Sequence, residues 1–125
     1  MDWKFRADQP IYTQLTARLA EKIVAGAYAP GERLPSVRDL AMEAGVNPNT
    51  VQRALADLER EGLVFSQRTN GRFVTENEEM IRSARFRMAD ERVAQFLADM
   101  RQLGCTAEEV IEILKQEETN ESFRM

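Results

Sequence analysis

Between Pro10 and Gly26 the apolar residues Ile11, Leu15, Leu19, Ile23 and Val24 recur at helical spacing, which predicts an amphipathic helix. Tyr28-Ala-Pro-Gly-Glu is turn chemistry. A second helix is expected to start at Pro35 or Ser36 and to bury Val37, Leu40 and Ala41. Asp39, three residues after Ser36, can return a capping bond, and Gly45 stops the helix. A third opens at Asn47, a good N-cap, with Pro48 at the first helical position, where its missing N–H costs nothing. Val51, Ala54, Leu55 and Leu58 form its apolar stripe and Gly62 ends it. The period then changes. Leu63-Val-Phe-Ser-Gln-Arg and Arg72-Phe-Val-Thr predict two strands joined through Thr69-Asn70-Gly71, and Asn-Gly is a strong hairpin signal. From Glu76 to about Leu103 a long charged helix is expected, carrying Ile81, Ala84, Met88, Val93, Phe96, Leu97 and Met100. Gly104 closes it. Thr106-Ala-Glu-Glu is a capping box that opens a last helix with Val110, Ile113 and Leu114, and residues 118–125 are expected to fray. Residues 2–9 predict an extended arm whose Trp3 and Phe5 pack on the body or on a partner.

Three helices followed by a two-stranded hairpin is the element order of a winged helix, and the tight turn at Gly45 gives its second and third helices the helix-turn-helix relationship. The expected class is therefore α+β, mainly α. Residues 1–76 would form a winged helix-turn-helix domain and residues 77–125 a helical tail. The third helix exposes Asn47, Asn49, Thr50, Gln52 and Arg53 at its N-terminal end. Amide side chains can pair bidentately with adenine and arginine with guanine, and free backbone N–H groups at a helix start favour a phosphate.

The charge distribution fits this orientation. Of a net charge of −4, residues 1–76 contribute nothing, with 10 basic and 10 acidic side chains; the acidity lies in residues 77–125, with 7 and 11. A neutral front and acidic back suit a protein whose front face meets a polyanion. Histidine is absent and cysteine occurs once, at Cys105. The chain thus lacks the commonest general base and metal ligand, and with no phosphate loop or nucleophile motif an enzyme is not expected. No cofactor or metal is implied. A single cysteine cannot form an intrachain disulfide, no apolar run approaches 18 residues, and the N-terminus has no signal-peptide pattern. A cytoplasmic protein that does not contact membrane is expected.

Taken together, Tyr28-Ala-Pro-Gly-Glu-Arg-Leu-Pro-Ser-Val-Arg-Asp-Leu-Ala, Val46-Asn-Pro-Asn-Thr-Val-Gln-Arg-Ala-Leu, Leu58-Glu-Arg-Glu-Gly-Leu-Val and Pro10-Ile-Tyr-Thr-Gln-Leu resemble the GntR family of bacterial regulators over about residues 9–76. The resemblance implies that Arg33 and Arg38 approach DNA and that Ser36 is the small residue starting the second helix. It implies that Asn47, Pro48, Asn49 and Thr50 begin the recognition helix, with Arg53 on the same face. Gly71 would be the wing-tip glycine that reaches the minor groove, flanked by Arg68 and Arg72. The residues after 76 are too few for a large effector domain, and a short helical tail resembles the YtrA-like subfamily, in which the tail serves dimerisation.

The expectation is a sequence-specific DNA-binding regulator, a repressor, that binds an inverted-repeat operator in double-stranded DNA as a homodimer. Its dimer interface would use Ile81, Met88, Val93, Phe96, Leu97 and Met100. A small-molecule effector is not identified; it would have to use the dimer interface or the junction near Glu76. Plainer roles stand beside the site assignments: Arg33 and Arg38 can pair with Glu32 or Asp39, and Arg68 and Arg72 can be ordinary strand charges. The alternative for the whole chain is a winged-helix protein-interaction module that binds no DNA.

Overall fold

The computed structural model describes the backbone of residues 3–124 and the side chains of residues 3–120. The described chain contains α1 (Ile11–Val24), α2 (Val37–Ala44), α3 (Pro48–Arg60), β1 (Val64–Gln67), β2 (Gly71–Val74), α4 (Glu78–Gln102) and α5 (Ala107–Arg124). It falls into two units that divide within α4, between Arg85 and Phe86.

In the N-terminal unit, α3 packs against both α1 and α2. Leu15, Leu19 and Ile23 of α1, Leu40 of α2, and Val51, Leu55 and Leu58 of α3 are almost wholly removed from solvent, with Leu63 and Val74 closing the core on the hairpin side. Each such side chain contributes about 1.5–3 kcal/mol of transfer free energy. The first turns of α4 belong to this unit. Asn77 caps them by accepting from the Met80 N–H at 3.2 Å, Ile81 and Ala84 are buried, and Arg85 Nε donates to the Val24 carbonyl at 2.9 Å.

The hairpin is antiparallel, with Phe65 opposite Phe73 and Gln67 opposite Gly71. Its loop is therefore three residues, Arg68-Thr69-Asn70, closed by an Asn70 N–H to Gln67 carbonyl bond of 2.7 Å, with Gly71 at φ 97°. The turn expected at Thr69-Asn70-Gly71 is shifted by one residue: Arg68, expected to end the first strand, joins the loop, and Gly71 pairs with Gln67 as the first residue of β2, taking the positive φ that follows a three-residue loop. A third edge lies on β2. The Gly31 N–H donates to the Val74 carbonyl, the Val74 N–H to the Glu32 carbonyl and the Leu34 N–H to the Arg72 carbonyl, at 2.8–3.0 Å.

The predicted arm is held along α1. Gln14 accepts from the Arg6 N–H at 2.6 Å and donates to the Arg6 and Gln9 carbonyls. At its far end the Lys22 ammonium lies 4.6 Å from the centre of the Trp3 ring.

The C-terminal unit is the remainder of α4 and α5. Thr106 and Glu109 form the expected reciprocal capping box, at 2.9 and 3.1 Å, and the bonds from Thr106 hold the Glu109 carboxyl below the ordinary glutamate range. Of residues 118–125, expected to fray, those up to Arg124 continue α5, and Met125 lies outside the described residues. Lys115-Gln-Glu-Glu is made of strong helix formers, so propensity extends a helix that apolar periodicity leaves unmarked.

Candidate nucleic-acid interface

The helix-turn-helix is built by local chemistry. Ser36 caps α2 by accepting from the Asp39 N–H at 3.0 Å. Gly45 ends the helix in the left-handed region, at φ 70° and ψ 37°, and the Val46 N–H returns to the Ala41 carbonyl at 3.0 Å. Two residues later Asn47 caps α3 by accepting from the Asn49 N–H at 2.7 Å. The turn thus leaves α3 presenting Asn47, Pro48, Asn49, Gln52 and Arg53 to solvent, with Thr50 half-buried.

This cap alters one expectation. Pro48 has no N–H, the Asn49 N–H is bound by Asn47 Oδ1, and the Thr50 N–H is bound by the Asn47 carbonyl at 2.9 Å. The start of α3 therefore offers little free backbone to a phosphate, and its chemistry lies in its side chains. Asn47 keeps its two amide donors, because only its oxygen is committed.

The wing brings a second group of the expected residues together. Arg33, Ser36, Gly71 and Arg72 line one cleft of about 180 Å³ with Leu34, Pro35, Val37 and Leu55. Arg33 and Phe73 are bridged across the third edge. Arg33, Arg38 and Arg68 are exposed, and among the described residues none of the three makes an ion pair. The pairing of Arg33 and Arg38 with Glu32 or Asp39 is thus not formed, and three guanidinium groups are left to solvent.

Two further arginines are held by neighbours. The Arg53 guanidinium stacks on the Tyr12 ring of α1, 3.5 Å from its centre. Arg72 is half-buried: its Nε donates to Glu59 Oε1 at 2.9 Å and its Nη2 to Gln52 Oε1 at 2.9 Å. The Ser66 hydroxyl donates to the same Glu59 oxygen. These bonds, the Ser66 one foremost, hold the Glu59 carboxyl below the ordinary glutamate range against the opposing effect of burial. Tyr12 and Glu59 lie outside the residues expected at the site, and Gln52 is expected there only as one of the exposed amides of the third helix. Tyr12 and Glu59 gave no local signal, because their roles depend on helix packing and on the hairpin folding back over α3.

The residues expected at a subunit interface separate into two environments. Ile81 is buried in the N-terminal unit. In the C-terminal unit Met88, Leu97 and Met100 are half-buried, while Val93 is 54% and Phe96 40% exposed. Val93, Phe96 and Leu97 of α4 and Ala107, Val110, Ile111 and Leu114 of α5 line an open groove of about 460 Å³, and every lining residue is apolar. Among the described residues no group of acidic, cysteine or histidine side chains could hold a metal, and no helix is long and apolar enough to cross a membrane.

Comparison with known proteins agrees with this geometry. The family model for bacterial regulatory proteins of the gntR family matches residues 11–74. YhcF of Bacillus subtilis (strain 168), an uncharacterized HTH-type transcriptional regulator, is 36% identical over 115 residues, covering 92% of this chain and 95% of its own. The HTH-type transcriptional repressor YtrA of the same organism is 35% identical over 112 residues, covering 89% of this chain and 86% of its own. A GntR family transcriptional regulator from Listeria monocytogenes has a similar solved structure, with a TM-score of 0.83 at 35% identity over 90% of this chain and 98% of that one. The DNA-binding domain of AraR, solved in complex with operator ORX1, matches 54% of this chain and 81% of its own, with a TM-score of 0.52 and 30% identity. The chain belongs to the GntR family, in its YtrA-like branch, and is a winged helix-turn-helix DNA-binding transcription regulator.

Proposed function

We propose that this regulator is a repressor that acts in the cytoplasm as a homodimer, with each subunit reading one half of an inverted-repeat operator. The observation that carries the reading is the solvent-facing start of α3, where Asn49 and Arg53 stand exposed on a helix whose other face is core. Asn49 and Arg53 are assigned to base edges, with Asn47, Pro48 and Thr50 positioning the helix start. Arg33, Ser36, Arg38, Arg68 and Gly71 are assigned to the phosphate backbone and the minor groove beside it. The operator complex of the AraR domain supports this orientation by analogy, and the repressor YtrA supports the sign of regulation.

The homodimer rests on the groove of the C-terminal unit. Water wets a face on which Val93 and Phe96 of α4 meet Ile111 and Leu114 of α5, and large exposed apolar patches mark interaction sites. Ile81 has no part in this interface, being spent on the N-terminal core. Twofold pairing sets the two recognition helices about 34 Å apart or at a multiple of that distance, which is why the operator is an inverted repeat.

Sedimentation of the full chain and of a Phe96→Glu variant tests the reading. The wild type is expected to sediment as a dimer at micromolar concentration and the variant as a monomer. The variant should lose far more affinity for a two-half-site duplex than for a single half-site. A wild type that sediments as a monomer and still binds the full operator as tightly would contradict it.

A further inference from the structure

The half-buried link between the wing and α3 carries one inference further. Arg72 lies on β2, yet its guanidinium is directed back onto the recognition helix. Glu59, itself bonded by Ser66, accepts from Nε of that guanidinium, and Gln52 accepts from Nη2 at 2.9 Å. A guanidinium only donates hydrogen bonds, so the amide atom that faces it is the Gln52 oxygen. The orientation of an exposed amide on the reading helix is thereby fixed from outside that helix.

That orientation decides what the amide can read. An amide that pairs with adenine must turn both its oxygen and its nitrogen to the base edge, accepting from N6–H and donating to N7. In Gln52 the oxygen is drawn toward the wing, which leaves the amide N–H groups for the groove. Guanine presents N7 and O6 in the major groove, two acceptors side by side, and so matches an amide that offers only donors. Gln52 stands one helical turn beyond Asn49 and is exposed, so it shares the face on which the base contacts are placed.

We propose that Gln52 reads a base, that Arg72 is its positioning residue, and that the pair selects guanine at one position in each half-site. This rests on the reading of α3 as the DNA-contacting helix. It replaces the adenine pairing expected of an unconstrained glutamine, and it gives Arg72 a role on the protein side of the interface rather than on a phosphate.

Selection of bound duplexes from a random pool, run with full-length wild type, Gln52→Ala, Arg72→Met and Arg72→Lys, tests the proposal. The wild type should enrich guanine at one position per half-site. Gln52→Ala should lose the preference at that position and keep it elsewhere. Arg72→Met keeps the aliphatic stem but removes the donors, so the freed amide should now enrich adenine over guanine there, a reversal on the order of tenfold. Arg72→Lys keeps a cation beside Glu59 but has no fork to reach Gln52 as well, and should shift the same way; it serves if the methionine variant does not fold. A folded Arg72 variant that keeps the guanine preference, or weakens every position equally, would overturn the proposal. So would a wild-type operator that Gln52→Ala reads unchanged. If the wild type enriches no sequence at all, the reading of α3 falls and this inference falls with it; if it enriches an operator with adenine at the Gln52 position, only the inference falls.

Discussion

Arg33 Nε lies 3.2 Å from the point where a β-carbon on Gly71 would sit. The glycine at the base of the wing loop therefore does two things. It takes a φ of 97°, which L side chains rarely adopt, and it leaves room for the guanidinium of an arginine from the third edge of the sheet. Gly71→Ala should cost stability through backbone strain, about 1–2 kcal/mol, and should lower DNA affinity by displacing Arg33. Chemical denaturation and a binding titration on the same preparation check this. A variant with the wild-type denaturation midpoint and affinity would show that the close approach has no consequence.

The stacking of Arg53 on Tyr12 predicts a separate effect. Tyr12→Leu removes the aromatic face and should let the guanidinium wander, reducing affinity for the cognate operator about two- to fivefold, as a lost exposed cation–π contact of about 0.5–1 kcal/mol implies. Tyr12→Phe keeps the ring and should bind as the wild type does. The comparison fails if Tyr12→Phe and Tyr12→Leu weaken binding equally.

Glu59 gives the fold a pH dependence with a definite sign. Its carboxyl titrates below the ordinary glutamate range in the folded state. The stability it contributes is thus fully present above the unfolded pKa, about 4.3, and is lost as pH falls through the folded value. The difference in thermal midpoint between wild type and Glu59→Gln should be largest at neutral pH and should shrink as pH is lowered from 5 toward 3. A difference that is constant over that range would exclude the Ser66–Glu59–Arg72 network as its source.

The elements that the sequence disclosed best are those whose signals are local. Pro48 after Asn47, Gly45 as a left-handed stop, and the Thr106–Glu109 box all act within one helical turn, and each took its expected place. The strand pair was visible through its Asn-Gly turn, but the third edge was not. It is a single bridged residue, Arg33, in a segment that Pro30 and Pro35 flank, and such a segment looks like a loop until β2 pairs with it. Spacing alone places Ile81, Met88, Val93, Phe96, Leu97 and Met100 of α4 at one expected interface, and the structure divides them between two units. Ile81 and Ala84 finish one unit while Val93, Phe96 and Leu97 open the groove of the other, a change of partner along one continuous helix that spacing does not mark. The arginines were found as charges on the expected elements. What each of them touches depends on residues far away in sequence, Tyr12 for Arg53 and Glu59 for Arg72.

On this reading α3 and the arginines around it recognise a DNA sequence. The most direct test is the affinity of the full-length protein for a selected duplex and for a random duplex of equal length, each measured across a range of salt concentrations. Both affinities should fall linearly on a log–log plot, with a slope of about −0.9 per phosphate contacted. The selected duplex should be bound at least about 10³-fold tighter than the random one at physiological salt. Equal affinity for the two duplexes, or no binding to either at low salt, would contradict the account and favour a winged helix that serves protein contacts.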